Sequence, residues 1–252
     1  MDEAFLEDKL AVVTGGGRGI GRAIAIGLAR AGAEVVVVAR SREQLDVTVR
    51  LVRDSGGTAS MVVADLGDPD GLERAIGTLH DLGRTDVLIN NAATVAPLGP
   101  TVSLDASSMT AALGLNVVAP AILSARLLPA MIDKRWGRIV NVSSGIVGRP
   151  TTMIGGNVYA VSKAALETHT VNLAAELEGT GVTVNAFRPG AVDTAMQEWI
   201  RAQSPEKIGS SLHERFTRTF AEGRLVSPDV SASSLIARLG TDATGQIWDI
   251  TD

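Results

Sequence analysis

Seven short runs of aliphatic and β-branched residues punctuate the chain: Leu10–Val13, Glu34–Val38, Thr58–Val63, Val87–Asn90, Arg138–Val142, Thr183–Phe187 and Gln246–Ile250. Polar residues do not alternate regularly through them, the pattern of strands covered on both faces. Between the runs lie segments that read as helices: Gly19–Ala31, Arg42–Ser55, Pro69–Leu82, Ala106–Asp133 and Asn157–Glu178. Asp68-Pro69 is an N-cap followed by proline at the first helical position, and Gly32 closes the first helix. Strand and helix alternate, which predicts βαβ units and a single α/β domain over residues 1–252. The expected architecture is a doubly wound, mostly parallel sheet of about seven strands with helices on both faces. In such a sheet ligands bind outside the carboxyl ends of the strands, so the chemistry is to be sought just after each apolar run.

Residues 195–225 stand apart as an insertion. Met196, Trp199, Ile200, Leu212, Phe216 and Phe220 form one apolar helical face among many charges. That face is either a lid over a hydrophobic substrate or a surface packed on the core.

Composition narrows the function classes. The 252 residues are 45% apolar, enough for one sizeable core. A net charge of −5 with scattered basic residues leaves no nucleic-acid footprint. The chain has no cysteine, so disulfides, a thiol nucleophile and cysteine-ligated zinc are out. His80, His169 and His213 are far apart and form no ligand motif, and no metal is expected. The start, Met1 to Asp8, is acidic and too short on apolar residues for a signal peptide. The longest unbroken apolar run is Val35–Ala39, far below a membrane span, so no membrane association is expected and the cytoplasm is the default location.

The strand ends carry the candidate chemistry. After the first comes Thr14-Gly-Gly-Gly-Arg-Gly-Ile-Gly21, opening a helix. Glycines let the backbone turn sharply and let a pyrophosphate approach the N–H groups of the helix N-terminus. Asp65-Leu66, Asn90-Asn-Ala-Ala93, Asn141-Val-Ser-Ser144 and Arg188-Pro-Gly-Ala-Val-Asp-Thr194 follow later strands. Together with the glycine loop, these small and polar clusters outline a cofactor cleft.

The only tyrosine of the chain, Tyr159, lies four residues before Lys163 in a helical segment. Residues i and i+4 share a helix face, and a cation held near a phenol favours its ionised form. The phenol is therefore expected to titrate below its usual value of about 10, as an acid/base suited to neutral pH.

In order, TGxxxGxG at Thr14–Gly21, NNAA at Asn90–Ala93, a helix-borne Asn116, NVSS at Asn141–Ser144, YxxxK and the Pro189-Gly190 turn resemble the short-chain dehydrogenase/reductases. The likeness runs from the first strand to the Thr244-Gly-Gln246 turn. It implies a Rossmann-type fold and hydride transfer between NAD(H) or NADP(H) and a small carbonyl or secondary-alcohol substrate. It implies that Tyr159 is the general acid/base, that Lys163 lowers its pKa and holds the nicotinamide ribose, and that Ser144 holds the substrate oxygen. Ser143 is the neighbouring alternative to Ser144. Asn116 would sit where its helix bends and anchor a proton-relaying water. Cofactor contacts implied by the likeness are Thr14, Gly15, Gly17, Arg18, Gly19, Ile20, Gly21, Arg40, Asp65, Leu66, Asn91, Ala92, Ala93, Pro189, Gly190, Val192 and Thr194, with Tyr159 and Lys163. Ala93 stands where the family more often has glycine.

An acidic residue ending the second strand would select NAD(H). Here that strand ends in Arg40-Ser-Arg42, with no carboxylate before Glu43. Two guanidiniums, from Arg40 and Arg18, suit a 2′-phosphate, so NADP(H) is expected, with NAD(H) the alternative. The likeness also implies a homo-oligomer, most often a tetramer. A non-catalytic nucleotide-binding regulator on the same fold is the competing function, and the presence of Asn116, Ser144, Tyr159 and Lys163 together argues against it. The substrate itself is not legible.

Overall fold

A computed structural model describes residues 5–251; the acidic start at residues 1–4 and residue 252 lie outside the described residues. The chain runs β1 (Leu10–Thr14), α1 (Gly19–Arg30), β2 (Glu34–Ala39), α2 (Arg42–Asp54), β3 (Ala59–Val63), α3 (Pro69–Asp81) and β4 (Val87–Asn90). It continues through α4 (Ala106–Leu113), a π-helical turn (Gly114–Val118), α5 (Ala119–Asp133), β5 (Gly137–Val142), α6 (Asn157–Glu176) and β6 (Val182–Arg188). Last come α7 (Ala195–Arg201), α8 (Pro205–Ile208), α9 (Ser210–Ala221), α10 (Pro228–Leu239) and β7 (Ile247–Asp249).

The strands form one sheet in the order β3-β2-β1-β4-β5-β6-β7, and every recorded pairing is parallel. All seven expected strands are present, with ends within a residue or two. The valines of β1 and β2 show why the runs do not alternate. Val13, Val35 and Val37 pack into a core with α1, α2 and α10. Val12, Val36 and Val38 pack into a second core with α3, α5 and α6 on the opposite face. Both faces of each strand are dry, so both need aliphatic residues. Ser41 caps α2 through Gln44 N and Asp68 caps α3 through Gly71 N, the latter with proline at the start as the sequence predicts.

Three elements differ from expectation. The single helix read over 106–133 is broken by the π-turn, where Ala119 N bonds to Gly114 O. This stretch is also the one described segment long and apolar enough to cross a membrane by length and composition alone. Here Leu123, Leu127 and Met131 are buried against the sheet. The insertion at 195–225, read as one apolar helical face, is divided into three helices, α7 to α9. The helix α10 was not read from the sequence at all, although Ser227-Pro228 announces it: Ser227 accepts from Val230 N, and proline opens the helix. Its Ala232, Leu235 and Leu239 close the core beside α1.

Candidate active site

The parallel sheet brings the carboxyl ends of β1, β4, β5 and β6 to one edge. A cleft of about 790 Å³ opens there, lined by Ile20, Ser144, Tyr159, Gly190 and Thr194 among others. Its outer wall is a small apolar cluster in which Val95, Ile146 and Met153 meet Ile200, Ile208 and Leu212. Met196, Phe216 and Tyr159 pack against that cluster, whereas Trp199 and Phe220 remain exposed. The apolar face of the insertion is therefore divided: part of it walls the cleft and part faces solvent.

The glycine loop sits at one end of the cleft. Gly15 and Gly19 have φ of +65° and +54°, a backbone region that other residues rarely adopt. A Cβ on Gly21 would stand 2.3 Å from Gly15 O, so this turn closes only around glycine. The loop is braced from beneath. Asn91 Nδ2 donates to Thr14 O at 2.9 Å, and Thr14 Oγ1 accepts from the main-chain N–H groups of Asn91 and Ala92 at 3.0 Å each. Thr48 Oγ1 donates to Gly16 O at 2.9 Å, and the Arg22 guanidinium donates to Thr48 Oγ1 and to Gly17 O. Arg22 and Thr48 escaped the sequence reading, because a brace between α1 and α2 leaves no local pattern.

The loop fits a dinucleotide. Helix α1 begins at Arg18 with no side-chain cap and no acidic residue in its first turn, so its N-terminal dipole is unopposed. Thr194, at the N-cap of α7, makes no capping bond with its side chain, and its Cγ2 lies 3.2 Å from where a Gly19 Cβ would be. Pro189, Gly190 and Val192 belong to this same wall, with Val192 bridged to Val226. At the far end of the loop Arg40 lies 4.0 Å from Asp65, both exposed, with Leu66 buried behind them. An exposed pair at that distance contributes little to stability, which leaves the Arg40 guanidinium available to a ligand. Gly17 and Ala93 lie in the loop segments that flank this path.

Tyr159 stands in the first turn of α6 and lines the cleft with Ser144, whose hydroxyl favours the phenolate. Ser143 is excluded from that role by its partner: it is buried and donates to Glu167 Oε1 at 2.7 Å. Lys163 is buried one turn on and donates from Nζ to Val142 O at 2.7 Å, with Nζ 5.9 Å from the Tyr159 ring centre. Burial pushes the Lys163 pKa down to about 8, and the carboxylate of Glu167 opposes that shift. Burial pushes the Tyr159 phenol above its usual value, and the Ser144 hydroxyl opposes that. The expectation of a lowered phenol pKa is thus reversed: burial raises it, and the Lys163 ammonium is engaged by Val142 O.

Asn116 occupies the π-turn, at the bend expected of it. Its amide is fully engaged, accepting from Thr94 N at 2.8 Å and donating to Thr94 O at 2.8 Å and Ser162 Oγ at 3.0 Å. It ties the segment after β4 to α6, just below Tyr159. Glu167 was missed in the sequence, and Arg188 was read only as the start of the cluster after its strand. Arg188 Nε and Nη2 bind the two Glu167 oxygens at 2.8 Å each, a bidentate pair between α6 and β6.

A sequence model of the short chain dehydrogenases matches residues 9–205. The chain belongs to the short-chain dehydrogenase family. A short chain dehydrogenase of Pseudocercospora fijiensis is 38% identical over 76% of this chain, which spans 62% of that relative. A protein assigned as an NAD(P)-dependent gluconate 5-dehydrogenase from Beutenbergia cavernae, solved with NADP at low occupancy, superposes with a TM-score of 0.85. It is 34% identical, with 98% of this chain and 97% of that one covered. An actinorhodin polyketide ketoreductase variant with NADPH superposes with a TM-score of 0.83 at 29% identity, with 96% of this chain and 95% of that one covered. The short-chain dehydrogenase described here is accordingly an NAD(P)-dependent oxidoreductase of Rossmann type.

Proposed function

We propose that this short-chain dehydrogenase reduces a small carbonyl compound, or oxidises the matching secondary alcohol, with NADP(H) as the preferred cofactor. The observation that carries the reading is that Ser144 and Tyr159 line one cleft with Ile20 of the glycine-loop segment, while Lys163 is buried one helical turn from Tyr159 with its Nζ 5.9 Å from the ring centre. Bound there, NADP(H) supplies the hydride. The chain supplies position and a proton. The Ser144 hydroxyl holds the substrate oxygen and stabilises the charge that develops on it. The Tyr159 O–H gives its proton to that oxygen in reduction, and the phenolate takes it back in oxidation. The raised pKa keeps Tyr159 protonated at neutral pH, the form reduction requires. Lys163 contributes a positive charge beside the phenol and a donor for the cofactor ribose. Asn116 acts through structure, holding the bend of the helix and the segment after β4.

Tyr159→Phe keeps the packing of the ring and removes only the hydroxyl. The variant should lose on the order of 10²- to 10⁴-fold in kcat while NADPH affinity is nearly unchanged. Lys163 is charged below about pH 8 and neutral above it, so the rate of NADPH oxidation by the wild type should fall through that region. Absorbance at 340 nm (a property of the cofactor) with a panel of ketones measures both. Activity within a few-fold of wild type in Tyr159→Phe would remove Tyr159 from the mechanism.

The cofactor preference rests on Arg40, at the end of β2, and Arg18, at the start of α1. Arg40→Asp should weaken NADPH binding by at least tenfold, the scale of a charge-assisted hydrogen bond, and NADH binding much less. Titration by tryptophan fluorescence reads both; equal or tighter NADH binding in the wild type rejects the preference.

Val118, Val161 and Val171 are 50%, 45% and 43% exposed along the π-turn and α6, an apolar surface suited to a closed homo-oligomer, most simply a tetramer. Light scattering should give four times the chain mass, and a monomer at micromolar concentration rejects this.

A further inference from the structure

The cleft that holds Tyr159 has a basic wall the proposed chemistry does not use. Arg149 projects from the segment between β5 and α6, and Arg215 and Arg218 from α9, and all three line the cavity. Arg149 is fixed relative to Ser144 by consecutive turns, Val147 N to Ser144 O at 3.1 Å and Arg149 N to Ile146 O at 3.0 Å. Arg215 donates to the carbonyl of Thr152 in the same segment, which joins α9 to the loop that carries Arg149. The Arg215 guanidinium is partly desolvated and lies near enough to Arg149 for the two charges to repel; both effects lower its pKa.

Like charges held together in a cleft cost free energy unless something compensates them. Arg149, Arg215 and Arg218 are exposed residues at the lining of the cavity, whereas the arginines drawn into the fold have carboxylates: Arg188 has Glu167, and Arg138 has Asp242 at 2.8 Å. Among the described residues no carboxylate forms an ion pair with Arg149, Arg215 or Arg218. Two carboxylates do line the cavity, Glu214 and Asp249. Asp249 Oδ1 is engaged by Thr251, accepting from its main-chain N at 3.3 Å and its hydroxyl at 3.1 Å. Arg224 is taken by Glu222. Arg149 and Arg215 therefore line the cavity together without an ion pair to either carboxylate.

Resting on the oxidoreductase reading above, we propose that Arg149 and Arg215 form an anion subsite, and that the substrate is an acidic carbonyl or hydroxy compound whose carboxylate or phosphate they hold. A guanidinium presents paired N–H donors that match both oxyanions, so the shared chemistry is a terminal anionic oxygen group. Its binding relieves the repulsion between the two arginines and turns the carbonyl end of the substrate toward Ser144 and Tyr159. Arg218 stands one turn along α9 from Arg215 and adds to the positive field.

The test compares matched substrates. Oxo acids and their methyl esters form one pair, and dihydroxyacetone phosphate and dihydroxyacetone the other. NADPH oxidation is followed with the wild type, Arg149→Gln, Arg215→Gln, the double variant, and Arg215→Lys as a charge-keeping control. Thermal unfolding verifies that each variant is folded. The wild type should favour one anionic member over its neutral partner by tenfold to a hundredfold in kcat/KM, the range for hydrogen bonds to a charged group; the pair that responds identifies carboxylate or phosphate. The double variant should lose that preference through KM, with kcat, neutral-ketone turnover and NADPH affinity unchanged, and Arg215→Lys should keep part of it. Equal use of anionic and neutral partners by the wild type, a preference that survives in the double variant, or a loss of NADPH affinity instead would overturn the subsite. Calorimetry with glutarate and with inorganic phosphate separates the two readings. Binding to the wild type and not to the double variant, with no carbonyl turned over, keeps the subsite and sinks the oxidoreductase reading. Absence of such binding, together with absence of anionic preference, sinks the subsite.

Discussion

Two buried charges on one face of α6 constrain everything around them. Lys163 and Glu167 are 2% and 4% exposed and lie one helical turn apart. Ions removed from water are tolerated only when their hydrogen bonds are nearly complete. Lys163 reaches that state through Val142 O, at the last residue of β5, and through the field of Glu167. Glu167 reaches it through Ser143 and the two donors of Arg188. The helix is thereby fastened to the ends of β5 and β6 at once. Ser144 follows Ser143 directly, so the same bonds aim the Ser144 hydroxyl at Tyr159. Removal of one member of such a buried set costs about 3–5 kcal/mol, enough to loosen the floor of the cleft.

The opposite end of the cleft is held by smaller forces acting in parallel. Hydrogen bonds from Asn91, Thr48 and Arg22 fix the carbonyls of the glycine loop, and the loop holds the start of α1 toward the cavity. Each neutral bond contributes roughly 1 kcal/mol, but together they hold a backbone that has few side chains of its own. A rigid loop and a rigid floor face each other across the sheet edge, and the helices of the insertion form the side wall.

Much of this was legible in the sequence. Strands dry on both faces write themselves as unbroken valine runs, and β2 is the clearest case. Two of the clusters that end those runs supply residues of the cleft, Ser143-Ser144 after β5 and Pro189 to Val192 after β6, because parallel strands deliver their carboxyl ends to one edge. The place of Ser144 in the NVSS pattern favours it over Ser143; the bond that occupies Ser143, to a carboxylate 24 positions away, was not legible. Arg22, Thr48, Glu167 and the pairing of Arg188 escaped for the same reason: their partners are distant in sequence. The π-turn escaped because its residues are ordinary helix formers. Helix α10 is different, since Ser227-Pro228 carried a local signal that was passed over. The offset between Tyr159 and Lys163 correctly implied proximity, but no spacing tells where an ammonium points. Here it points to Val142, and burial governs the phenol.

That last statement is the centre of the account, and the chain offers a direct way to measure it. Tyr159 is the only tyrosine, so ultraviolet difference spectroscopy follows its ionisation without interference from other phenols. In the ligand-free protein the phenol should ionise above the ordinary value of about 10, because burial disfavours the phenolate. A titration below that value, moving upward in Lys163→Met, would show that the lysine charge rather than burial sets the proton affinity, and would contradict the account.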